Sequence, residues 1–290
     1  MTRGGRVRPR WRIGDLLLTV LTYLVLLVFL IPTLWVILTS VRPELEIAAR
    51  PPIWMPKQLI GDHYLALFGT GPEGMESRAT FPRYFVNSAI VALSTTLISV
   101  LIGALCGYAF SRFNFRGKSG LFLLMLFVRA LPALALGLPL FILYRILELQ
   151  DTRQGLIIIY SALAVPTVAW LAEGFFADIP PEIEEAARVD GCTRWQAFWR
   201  IALPLAASGL TAIAVLVFIW SWNEFGLALV LTGSLNARTL SVGLYEFVHE
   251  FRVAWGQLTA AGTLMLIPVI LFTLRAQRFL IRGLTLGTLR

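Results

Sequence analysis

The chain alternates long apolar runs with short polar breaks, and the runs are too long to be strands. Six of them reach or pass the roughly 20 residues that a helix needs to cross a bilayer core. They cover about Leu16–Thr39, Phe85–Phe110, Leu121–Tyr144, Gly155–Phe176, Leu205–Leu231 and Leu258–Leu280. Hydrocarbon offers no partner to a backbone N–H or C=O, so a spanning segment is a helix or part of a closed barrel. Continuous runs of this length predict an all-α membrane protein with six transmembrane helices. One polar stretch, residues 177–204, interrupts the pattern between the fourth and fifth runs.

Composition agrees. Of 290 residues, 57% are hydrophobic and 14% charged, against about 25% charged in a soluble domain. The first run follows "RVRPRWR" and could pass for a secretory signal. A signal's apolar region spans only about 7–15 residues, however, and no small-x-small cleavage pattern follows Ser40, so a retained anchor is expected.

The net charge of +8 comes from residues flanking the runs, which points to a bilayer and away from nucleic acid. Arg3, Arg6, Arg8, Arg10 and Arg12 precede run one. Arg112, Arg116 and Lys118 follow run two, Arg188, Arg194 and Arg200 lie in the polar stretch, and Arg275, Arg278, Arg282 and Arg290 close the chain. These four groups share one side. The positive-inside rule places that side in the cytosol, with both termini and the polar stretch. The expected organisation is a cytosolic tail over 1–15, a membrane domain over 16–280 that includes the insert 177–204, and a cytosolic tail over 281–290. On the other side, residues 41–84 and 232–257 form loops long enough to have a role or structure of their own. A docking surface for an external partner and a plain connector are both open readings of them.

The insert reads as a device. Pro180 and Pro181 suit a helix start, and Glu182, Glu184 and Glu185 complement its positive end. Ile183, Ala186 and Ala187 share one small apolar face. Gly191 suits a helix stop. Thr193 and Gln196 have capping-box spacing, Trp195, Phe198 and Trp199 form the apolar face of a second short helix, and Pro204 opens the next span. Two short helices at a sharp angle result. An amphipathic element of this kind can lie on a membrane or fill a groove in a protein. Interfacial helices usually carry Lys and Arg on the polar face. The acidic first helix therefore favours a protein cleft lined with basic groups.

At this point a family resemblance enters. "EAARVDGCTRWQAFWRIALP" matches the pattern E-A-A, three residues, G, nine residues, I-x-L-P. It resembles the cytosolic loop of permease subunits of binding-protein-dependent ABC importers. "WSWNEFGLALVL" and the terminal "RGLTLGTLR" resemble the sugar-importing branch, in particular the second permease of maltose-type and glycerol-phosphate-type systems. The resemblance implies a type I importer permease whose coupling loop docks on an ATP-binding subunit dimer. In this chain the coupling positions would be Glu184, Glu185, Ala186, Ala187, Asp190, Gly191, Ile201, Leu203 and Pro204. The tail positions Gly283, Leu284, Thr285 and Gly287 would also reach the ATPase. Implied partners are a second, homologous permease and an extracytoplasmic solute-binding protein, in a bacterial cytoplasmic membrane. The implied cargo is a carbohydrate moved inward. A permease for an amino acid, a peptide or a phosphate ester stands as the alternative, as does a membrane scaffold that recruits a protein without transport.

Ionisable groups inside spans should face a cavity or a partner, because a central charge costs about 2.5–3.5 kcal/mol on insertion scales. Arg129, Glu173 and Glu224 are of this kind. Arg129, with Asn223 and Glu224, is a candidate for the substrate path; an ion pair or a packing role is the other reading of each. Glu173, near the cytosolic end of run four, is expected to snorkel or pair locally. Gly103 and Gly107 have the small-xxx-small spacing that permits close helix packing. The chain has no P-loop, so ATP hydrolysis is expected on another subunit. No cofactor, metal site or catalytic residue is expected: the two cysteines, Cys106 and Cys192, show no ligand spacing, and His63 and His249 read as loop residues.

Overall fold

The computed structural model describes residues 13–72, 80–130, 132–248 and 253–287; the side chains of Ile13, Arg129 and residues 278–287 lie outside that description, as does His249. The elements in chain order are α1 (Ile13–Thr39), α2 (Glu44–Ile47), α3 (Asp62–Leu67), α4 (Phe81–Arg112), α5 (Lys118–Ala130), α6 (Gly137–Ile146), α7 (Arg153–Ala177), α8 (Pro181–Val189), α9 (Arg194–Ala197), α10 (Leu203–Leu205), α11 (Ala207–Asn223), α12 (Gly226–Leu231), α13 (Leu240–Leu244) and α14 (Trp255–Gly287). Among the described residues there is no strand, only one isolated bridge between Val248 and Val253.

Among the described residues, four helices are long and apolar enough to cross a membrane: Gly14–Thr39, Phe81–Arg112, Arg153–Ala177 and Trp255–Gln277. The third and fifth apolar runs, expected as continuous helices, are bent. The third turns by 88° between Lys118–Val128 and Ala133–Ile146. Pro132 lacks an N–H and disfavours helix in the residue before it, and a 3₁₀ turn, Ala133–Leu136, follows. The fifth meets the insert at one bend and is broken once within its own length. Arg194–Leu205 meets α11 at 73°, and α11 stops at Asn223, where Glu224 turns extended (φ −64°, ψ 126°) before α12 begins.

The bundle is built on α4 and α7. Gly103 and Gly107 sit against Val168, Ala169 and Ala172, so closely that a Cβ on Gly107 would lie 2.8 Å from the Glu173 backbone nitrogen and 2.9 Å from the Ala169 carbonyl oxygen. The small-xxx-small pair therefore brings two backbones into contact, as dispersion-driven packing in lipid requires. One apolar cluster joins α4 and α7 to the insert and the start of α11 through Ala104, Val168, Ala172, Phe176, Phe198 and Ile213. A second, around Phe81, Tyr84, Phe218 and Trp222, joins α3, α4, α11 and α14 at the opposite end. α1 runs along α14 and leaves leucines such as Leu17, Leu18 and Leu21 exposed.

Candidate functional site

The insert folds largely as its residues direct. Pro181 opens α8, and Glu182 and Glu184 occupy its first turn. Gly191 turns the chain at φ +95°, where a side chain would be strained. The Thr193 side chain accepts from the Gln196 amide, and the Gln196 side chain accepts from the Thr193 amide, completing the capping box of α9. The chain then widens into a π turn over Phe198–Ala202 before Leu203 and Pro204 enter α10.

The apolar face of α8 divides in a way the sequence did not suggest. Ala187 is buried with Glu184, while Ile183 and Ala186 point outward. Val189 joins them at 88% exposed. The exposed side of α8 therefore pairs an apolar strip with the carboxylates of Glu182, Glu185 and Asp190. In the π turn after α9, Phe198 is buried against Tyr108 and Phe176, whereas Trp195 on α9 and Trp199 in the turn are exposed.

Glu184 is the root of this element. Its Oε2 accepts from the Tyr108 hydroxyl at 2.5 Å and its Oε1 from Arg112 Nε at 2.7 Å. Arg112 Nη2 also donates to the Ile179 carbonyl at 2.8 Å. One guanidinium thus ties the end of α4 to the chain leaving α7 and to α8. Glu184 is only 6% exposed, and burial without water strengthens each of these charge-assisted bonds. Sequence reasoning grouped Glu184 with its neighbours as a partner contact; the structure separates it from Glu185, which is exposed. The i, i+3 spacing of Glu184 and Ala187 was the available signal.

Two of the residues expected on the substrate path, Glu224 and Asn223, have internal partners. The Glu224 carboxylate accepts from Tyr160 Oη at 2.5 Å and from the amides of Leu227 and Ala228 at 2.9 and 3.1 Å. It caps α12 and thereby stabilises the break in the fifth run. Asn223 Nδ2 donates to the Ile219 carbonyl at 2.7 Å. Arg129 belongs to α5 by its backbone; its side chain is outside the described residues. Glu173 is partly exposed in the last turns of α7. Gly283, Leu284, Thr285 and Gly287 continue α14.

The opposite end is closed by the two long loops. Arg42 donates to the carbonyls of Ile53 and Trp54 and lies over the Trp35 ring. His63 is buried and bonds the Arg42 carbonyl at 2.7 Å. The carboxylate of Glu44 accepts the amides of Trp255 and Gly256 at the start of α14. Tyr84 and Arg238 both donate to Glu246, at 2.6 and 2.5 Å, and Asn87 Nδ2 donates to the carbonyls of Leu235 and Arg238. Asp151 accepts from the Gly233 and Ser234 amides and the Ser234 hydroxyl. Among the described residues, no three His, Cys, Asp or Glu side chains form a group able to hold a metal.

A compact helical insert between two membrane helices, rooted on α4 and open outward, fits an inner-membrane transport component. The model of the family described as "binding-protein-dependent transport system inner membrane component" matches residues 99–286, which include the whole insert. The chain belongs to this family. It is a multi-pass membrane permease of the ABC importers and has relatives of similar length. The trehalose transport system permease protein SugB of Mycobacterium tuberculosis is 36% identical over 263 residues, 90% of this chain and 92% of that protein. The sulfoquinovosyl glycerol transport system permease protein SmoH of Agrobacterium fabrum is 32% identical over 261 residues, 90% of this chain and 89% of that one. In fold, the permease is similar to a chain in the crystal structure of a bacterial ABC transporter involved in the import of the acidic polysaccharide alginate (TM-score 0.73, 22% identity, 93% of this chain and 99% of that chain).

Proposed function

We propose that this permease moves a carbohydrate inward across the membrane, driven by ATP hydrolysis on a separate subunit dimer, and that it shares the path with a second, homologous permease. Relatives named for trehalose, sulfoquinovosyl glycerol and diacetylchitobiose transport support the cargo class. With each bent helix pair taken as one span, the chain crosses six times, with both termini and the insert in the cytosol.

The observation that carries the mechanism is the division of α8 into a rooted face and an open face. The open face, with Ile183, Ala186, Val189, Glu185 and Asp190, would enter a cleft on the ATPase. The rooted face, Glu184 and Ala187, would pass its movement to α4 through Arg112 and to α7 through Ile179. Gly191 sets the angle between the two short helices, while Ile201, Leu203 and Pro204 join them to the fifth span. The tail around Gly283, Leu284, Thr285 and Gly287 would reach the same ATPase dimer, and the latched loops at the opposite end would receive a solute-binding protein. Arg129 keeps its proposed role as a donor to the cargo.

The test is purification of the assembled complex in nanodiscs, followed by ATPase assays with its solute-binding protein and a panel of sugars, amino acids, peptides and phosphate esters. Stoichiometric ATPase and stimulation by a sugar are expected. Stimulation by another class would replace the cargo, and the absence of any ATPase would favour the scaffold reading.

A further inference from the structure

A groove of about 320 Å³ runs between α4, α11 and α14. Phe85 and Leu93 line it from α4, Phe218 and Trp222 from α11, and Phe272 and Arg275 from α14. Its walls are fixed by their own packing. Phe218 stacks on Phe272 at 4.3 Å and on Trp222 at 5.7 Å. The Trp222 indole N–H donates to the Met265 carbonyl at 3.2 Å, which ties α11 to α14 and occupies the polar group of that ring. The groove opens sideways, since Leu93 and Leu271 on its rim are exposed.

Among the described residues lining the groove, Arg275 alone is charged. It is exposed and forms no hydrogen bond or ion pair with a described residue. The three walls supply no counter-charge, because α4, α11 and α14 contain neither Asp nor Glu. An arginine at a membrane helix needs an anionic or polar partner. Its depth says which kind. Trp255, at the start of α14, is half exposed, as an interfacial tryptophan is. Arg275 lies about 30 Å along the helix from it at 1.5 Å per residue, close to the thickness of the hydrocarbon core. The guanidinium therefore stands at headgroup level, and the groove leads from it into the hydrocarbon.

This combination selects a ligand with a long apolar body and an anionic head. A sugar would find no donors or acceptors along the aromatic walls. A helix from another subunit would have to bring a carboxylate to this depth, where acidic side chains are rare. Basic pockets between membrane helices bind anionic headgroups, and the planar fork of a guanidinium matches phosphate.

We propose that this groove holds an anionic phospholipid, with one acyl chain along Phe85, Phe218 and Phe272 and the phosphate paired with Arg275. The proposal goes beyond the transport reading and does not depend on the cargo.

The test uses the full complex in phosphatidylcholine nanodiscs, titrated with phosphatidylglycerol that carries a photoactivatable acyl chain. Saturable labelling of the peptides bearing Leu93 and Leu271 is expected. Unlabelled phosphatidylglycerol should compete with it, and added phosphatidylcholine should not. Arg275→Gln should raise the half-saturating concentration about fivefold, the factor expected of one arginine beside an anionic lipid, and Arg275→Lys should keep most of the preference. Ala89→Leu, which narrows the groove from α4 and leaves the charge in place, should lower the labelling. Labelling that does not distinguish the two headgroups, or that Arg275→Gln leaves unchanged, would overturn the proposal. The headgroup comparison needs only the wild type, so it decides even where a variant fails to assemble. A photoreactive residue placed at Leu271 should capture lipid; capture of a helix of another subunit would assign the groove to protein instead.

Discussion

The two ends of the permease are fastened differently. The insert hangs from the bundle by one buried carboxylate, Glu184, held by Tyr108 and Arg112, and by the aromatic plug of Phe198. The opposite end is tied at many points: Glu44, His63, Asn87, Asp151 and Glu246 each bridge segments far apart in sequence, and Arg42 and Arg238 close shorter loops between them. A docking element that must pass on movement needs a stiff root and an open face. Long loops over the other end need many small ties, because each tie has to offset the entropy of ordering the segments it joins. The root is therefore concentrated and the rim distributed, and substitutions can break that contrast.

The largest effect is expected at the root. Arg112→Met would leave Glu184 buried without its counter-charge, which costs about 3–5 kcal/mol. Arg238→Met at the rim breaks a pair whose side chains are 26% and 20% exposed, where about 1 kcal/mol or less is expected. Thermal unfolding of the solubilised complex compares the two. Adding Glu184→Gln to Arg112→Met should recover part of the loss, since the buried charge is then gone. Equal losses at Arg112 and Arg238 would end the contrast.

Next comes the joint that the root acts on. In Gly107→Ala the new methyl would lie under 3.0 Å from backbone atoms of α7, and backbone cannot swing aside. A loss of about 1–3 kcal/mol is expected, as for overpacked cores. Gly174→Ala is the control: nothing lies within 4 Å of its Cβ, so it should be neutral or slightly stabilising in the same melt.

Much of this was legible in the sequence, and what was not has identifiable causes. The small-xxx-small pair, the glycine turn at Gly191 and the Thr193–Gln196 box are local rules, and local rules survive folding. The face of α8 was misjudged because hydrophobicity assigns Glu184 to water, while its burial depends on Arg112 and Tyr108, more than 70 residues earlier in the chain. Glu224 reads as a charge in a membrane helix; that it ends the helix and caps the next follows only from α12 restarting at Gly226. The bends in the third and fifth runs were hidden by uniform apolarity, since a lipid-facing run stays apolar whether or not its helix is straight. Proline marked the first of these bends, at Pro132, more clearly than the apolar count did.

A smaller effect separates the insert's second helix from its root. Thr193→Ala removes the acceptor for the Gln196 amide, worth about 1 kcal/mol for an N-cap. α9 lies on the open side of the insert, so stability should drop by about that amount while the Glu184 bonds persist. Hydrogen exchange should quicken at α9 and stay unchanged at α8.

The smallest expected effect lies at the rim and depends on pH. Asp151 sits in the short loop between α6 and α7 with φ +55°, a conformation acidic and amide side chains tolerate better than most. Partial burial alone would raise its carboxyl. The Ser234 hydroxyl, the amides of Ser234 and Gly233 and the charge of Arg238 outweigh that and hold it below the ordinary carboxylate range. A carboxyl with a depressed folded pKa stabilises the fold above its unfolded pKa, and that contribution is lost as the pH falls through the folded value. Asp151→Asn should therefore cost a little stability near neutral pH and nothing at strongly acidic pH. Melting curves of the wild type and Asp151→Asn should converge as the pH drops below the usual aspartate range. Because several other ties hold the same loops, the gap at neutral pH should be much smaller than that of Arg112→Met; a gap as large would mean that the rim, too, hangs on a single carboxylate.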